Sequence, residues 1–190
     1  MIATLTLLSL ALAAPPICLP PSSPTTSACV PGEEAALQAQ VAPLLGTIDR
    51  PVSAETWRRL PAGALALLER IAEDPLTLPS SRARALEGAA ALGADGGIHA
   101  RLAADFAAPF AVRRSALRTM GPLLPRERLE ATLGTLVAAD PDRRIRANAA
   151  EVLARASPAT ACAAIRAQAG REGTEGRAAF GRALAACGAR

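Results

Sequence analysis

The chain has 190 residues, of which 51% are apolar and 2% aromatic, and its formal net charge is +4. The apolar mass is alanine and leucine, strong helix formers, while valine and isoleucine are too sparse for a sheet-rich core, so an all-α protein is expected. One histidine and four scattered cysteines argue against a histidine-based catalytic pair and against a clustered zinc site.

All 21 basic residues are arginine. The same chain is rich in alanine, proline and glycine, as a GC-rich coding bias produces, so the missing lysine is little evidence for phosphate recognition. Charge is uneven: residues 1–75 hold four arginines against seven acids, and residues 76–190 hold seventeen against ten. A basic half attracts anionic partners, but here the acids interleave with the arginines as on a solvated mixed surface.

At the N-terminus, residues 2–14 (IATLTLLSLALAA) are uncharged and apolar or small. The run falls short of the roughly 20 residues that span a bilayer as a helix, and has the length of a signal-peptide core. Ala11 and Ala13 give a small-x-small cleavage pattern, so residues 1–13 are expected to be a signal peptide and the protein to be periplasmic or secreted. Residues 14–32 are rich in proline and serine and read as a linker, followed by a helical domain over residues 33–190. An even cysteine count in an exported chain favours disulfides, and the two local pairings are Cys18–Cys29 and Cys162–Cys187.

Glu33 to Leu45 is expected to form a short amphipathic helix disturbed by Pro43. Ser53 is placed to cap the next, with Val52 and Trp57 as a hydrophobic staple that makes Trp57 a packing anchor. Pro61 is expected to open a helix carrying Leu65, Leu68 and Ile71, and Ser80 or Ser81 to cap its partner, which ends near Gly93. The second pair is Gly97 to Asp105 and Pro109 to Met120. In the third, Leu129, Leu133, Leu136 and Val137 face Ile145, Ala149, Val152 and Leu153 across a tight turn. Asp140 is expected to cap the latter helix with Pro141 at its first position. Ser157-Pro158 opens the fourth pair: one helix to about Gln168, a turn over Gly170 to Gly173, and a last helix from Thr174 to Cys187.

These pairs repeat in sequence. Val112-Arg113 lies on Ile145-Arg146 at an offset of 33 residues, and Met120 then falls on Leu153. A fainter copy, Ser81 to Gly93, fits at 28 or 29 residues with one gap and keeps Arg84. A period near 30 residues is the signature of stacked helical pairs. On the turn Asp140-Pro141-Asp142 and the helix from Ile145-Arg146 to Leu153, the chain resembles the HEAT repeat family, in the short form also seen in phycobilisome lyase-like repeats, here as an exported bacterial member. The resemblance covers about residues 61–190 and implies an α-solenoid of about four stacked antiparallel hairpins. It also implies a ladder between repeats built from Asp140, Arg146 and Arg113, with Ala107 where the preceding turn needs its acid and Asp105 as a displaced substitute. A stripe of arginines for an anionic partner is the other reading of Arg113 and Arg146.

Chemistry is hard to place on this sequence. His99 stands alone in a helix, and no nucleophile elbow, phosphate loop or dinucleotide fingerprint is present. The carboxylate pairs Glu127/Glu130 and Asp140/Asp142 lie at expected helix starts, where the helix dipole favours negative charge. No cofactor and no metal are expected. The expectation is a non-enzymatic scaffold that binds a protein partner, with a regulatory or accessory module for an enzyme (lyase-like activity at the remote end) and a basic nucleic-acid-binding array as alternatives. Export and the scarcity of aromatics oppose nucleic acid. A partner surface is expected on the second helices at positions the repeat does not preserve, namely Arg114, Arg118 and Arg143.

Overall fold

The computed structural model describes residues 31–47 and 50–188; the expected signal peptide and the Cys18–Cys29 pairing lie outside them. The described residues are helical, with no strand among them: α1 (Pro31–Leu45), α2 (Ala54–Arg58), α3 (Ala64–Glu73), α4 (Pro79–Ala91), α5 (Gly97–Ala104), α6 (Phe110–Met120), α7 (Arg126–Ala139), α8 (Arg143–Ala156), α9 (Pro158–Arg171), α10 (Gly173–Ala179) and α11 (Gly181–Gly188). No described helix is long and apolar enough to cross a membrane.

Consecutive helices pack in pairs, α3 on α4, α5 on α6 and α7 on α8. The second members also touch in sequence, α4 to α6, α6 to α8 and α8 to α11. Alanine makes this possible: Ala85 and Ala89 of α4, Ala116 of α6 and Ala149 and Ala150 of α8 are fully buried. Side chains this small let helix axes approach toward the lower end of the usual 8–10 Å range. Larger residues fill the space between the layers, among them Leu68, Leu86, Leu117, Met120, Leu133, Ile145 and Ile165. At the N-terminal end Trp57 is buried against α4, where a Cβ on Gly88 would lie 2.9 Å from both the indole and the Leu68 side chain.

Several helix starts differ from expectation, each for a local reason. Ser53 does cap α2, accepting from the Thr56 N–H at 3.1 Å. Helix α3 begins at Ala64 rather than Pro61, because Gly63 takes a left-handed φ of 89° and Pro61 sits in the preceding turn. Helix α4 begins at Pro79, so Ser80 and Ser81 lie inside it and cap nothing. Asp140 does not cap α8; Asp142 does, accepting from the Arg144 N–H at 2.8 Å. Ser157 and Pro158 stand at the start of α9 as expected, but the Ser157 hydroxyl donates to Glu130 instead of capping. The first helix of the last pair runs to Arg171, beyond Gln168. The last helix is two, broken at the fully buried Phe180, with the weak helix formers Gly176 and Gly181 around the break. A disulfide joins Cys162 of α9 to Cys187 of α11, their Cα atoms 5.6 Å apart.

Candidate partner-binding groove

The turns between paired helices share one device. Asp74, Asp105 and Asp140 each end a first helix and accept a hydrogen bond from the backbone N–H two residues on, at 3.0, 2.9 and 2.9 Å. Asp105, not the residue at 107, is therefore the counterpart of Asp140. The arginines that follow share a second device: Nε of Arg82 donates to the Ala72 carbonyl at 2.8 Å, and Nε of Arg113 donates to the Ala103 carbonyl at 3.0 Å, each ten residues back. Arg82 is thus the first copy's equivalent of Arg113. Arg84, which the sequence alignment selected, instead donates to the Thr47 carbonyl at 2.8 Å and ties α4 to the chain leaving α1.

Between neighbouring pairs the arginines reach forward. Arg113 grips both carboxylate oxygens of Asp140, and the two side chains are 4% and 0% exposed. Arg146 grips Glu172 through Nε and Nη2 at 2.5 and 2.6 Å, and donates through Nη1 to the Asp140 carbonyl at 2.6 Å. The six-residue spacing of Asp140 and Arg146 is thus used through a backbone oxygen, while the Asp140 carboxylate serves the arginine of the preceding pair. The Arg146 guanidinium, with help from Gln168, holds the Glu172 carboxyl below the usual carboxylate range.

The other arginines of interest lie elsewhere. Arg114 and Arg118 are exposed on α6, four residues apart and so on one face. They form one wall of a groove of about 630 Å³ whose other walls are α8 and α11. Glu151 and Arg155 of α8 and Arg182 of α11 complete its charged lining, four arginines against one glutamate, over a floor that includes Gly121, Val152 and Ala156. Glu151 accepts from Arg155 at 2.5 Å and from Arg182 at 2.6 Å. Arg114 and Arg118 form no ion pair among the described residues. On the far side of this arginine pair a smaller hollow of about 200 Å³ is lined by Ala83, Phe110 and Ala111. Phe110 is stacked by Arg144, its guanidinium carbon 4.1 Å from the ring centroid.

Arg143, expected beside Arg114 and Arg118, is absent from the groove's lining: it pairs with Glu175 of α10 at 3.1 Å. Arg155 and Arg182 went unnoticed in sequence. The Glu151–Arg155 spacing of four residues was the available signal for the first; Arg182 has none, because only the return of α11 onto α8 brings it there.

The remaining polar groups are accounted for without chemistry on a substrate. Glu130 is held below its usual range by hydrogen bonds from Ser157 and then Arg126, and Asp142 by Arg144. His99 is fully buried; its Nε2 lies 3.0 Å from the Leu86 carbonyl and its Nδ1 has no partner among the described residues. Among the described residues no three histidine, cysteine or acidic side chains gather as metal ligands do. No family model, curated protein or solved structure matches the chain.

Proposed function

We propose that this chain is an exported, non-enzymatic α-solenoid of HEAT-like hairpins that holds a protein partner along its second helices. In this reading α3–α4, α5–α6, α7–α8 and α9 with α10–α11 are the four repeats. The pairwise packing and the forward-reaching Arg113–Asp140 and Arg146–Glu172 pairs support that count. The signal-like residues 1–13, the proline-rich residues 14–32 as spacer, and a disulfide of the kind oxidising compartments favour support export to the bacterial envelope or beyond. The observation that carries the binding reading is the groove itself, which runs across successive second helices and holds two arginines without internal counterions. Repeat arrays bind through such extended surfaces rather than through enclosed reaction chambers.

Crosslinking the exported protein in its native host and isolating it tests this. Recovery of one protein in stoichiometric yield is the expected result; turnover of a small molecule by the pure chain would overturn the non-enzymatic reading.

A further inference from the structure

We propose that the groove between α6, α8 and α11 reads carboxylates, and that its ligand is an acidic polypeptide segment gripped by Arg114 and Arg118. The proposal rests on the scaffold reading above and names the chemistry of its partner.

The groove already contains a demonstration of its own chemistry. Glu151 sits between the guanidinium groups of Arg155 and Arg182, which come from two different helices. A guanidinium fork matches a carboxylate edge to edge, so each bond is both charge-assisted and directional. Arg114 and Arg118 present two more forks across the same groove, and Glu151 is already engaged with the other two. One helical turn apart, they stand about 6 Å from each other at their bases. Carboxylates two residues apart on an extended segment, roughly 6.6 Å, or four apart on a helix meet that spacing. The apolar hollow beside Phe110 receives a hydrophobic neighbour of those acids.

The chain's own N-terminal segment is not the occupant, since residues 1–30 contain no aspartate or glutamate. A nucleic acid fits less well. Glu151 would face its phosphates, no aromatic lines the larger groove, and two free guanidiniums do not form the track that a backbone follows.

Fluorescence anisotropy of a labelled octaglutamate peptide with the full chain tests the assignment. Binding at low salt that loosens as salt rises is expected, with about tenfold weakening in R114A/R118A. R128A/R177A removes equal charge from exposed positions outside the groove and should bind as the parent does. E151Q, which removes the competing carboxylate, should bind more tightly. Absence of binding at low salt overturns the proposal. So does equal weakening by R128A/R177A, or tighter binding of an oligothymidylate of the same charge. If partner capture succeeds and survives R114A/R118A while the peptide fails, the carboxylate assignment falls and the scaffold reading stands. If the peptide binds through these arginines while capture fails, the scaffold reading is the one that falls.

Discussion

Arg113 is a charge almost wholly removed from water, tolerable because its donors meet the Ala103 carbonyl and both oxygens of Asp140. Removing one member of such a pair strands the other, which costs more than the pair contributed. Arg113→Ala is therefore expected to destabilise by about 3 kcal/mol. Arg146→Ala, whose partner Glu172 is also largely buried, should destabilise by about 2 kcal/mol. Arg143→Ala breaks only an exposed pair and should change stability by less than about 0.5 kcal/mol. Urea unfolding of the three variants reads the order directly, and a cost for R143A equal to that for R113A would contradict the ladder. Sequence pointed to Arg113, Arg146 and Asp140 because a 33-residue offset aligns them. It could not assign Asp140 to Arg113, since that bond joins different repeats, and it chose Arg84 over Arg82 because both positions fit a gapped alignment.

At the scale of elements, His99 links α5 to α4. Its Nε2–H donates to the Leu86 carbonyl, which leaves Nδ1 as an acceptor without a donor. Burial pushes its pKa below the ordinary 6.5, outweighing the Leu86 bond and the Asp95 charge that favour protonation. The unfolded chain then takes up the proton first, so this contribution is complete above about pH 6.5 and is lost as pH falls through the folded value. The lowered carboxylates Glu130, Asp142 and Glu172 act in the same direction but only at more acid pH, near and below their ordinary values of 4.5, 3.8 and 4.5. Denaturation midpoints should fall between pH 7 and pH 5.5. His99→Gln, which keeps a donor and does not titrate, should flatten that fall; an unchanged slope would remove His99 from the account. Helix positions were legible because their apolar stripes follow the helical period, as in Leu129, Leu133, Leu136 and Val137. Their starts were less so. Pro61 and Asp140 carry strong start signals that Gly63's positive φ and Arg113's demand for a carboxylate override. The break at Phe180 depends on burial that no local pattern reports.

For the whole molecule, the layer of second helices is what turns local sequence into a surface. Arg114 and Arg118 were visible as arginines the repeat does not preserve; the groove was not, because its third wall returns from residues 181–188. The disulfide between α9 and α11 holds that wall to the preceding helix. The central claim, that this groove is where a protein partner docks, is tested most directly by site-specific photocrosslinking in the native host. Benzoylphenylalanine would replace Asn148 inside the groove in one variant and Leu76, a fully exposed apolar residue on the turn between α3 and α4, in another. The account predicts that position 148 crosslinks one protein and position 76 does not. Crosslinking of that protein from position 76 alone would contradict it.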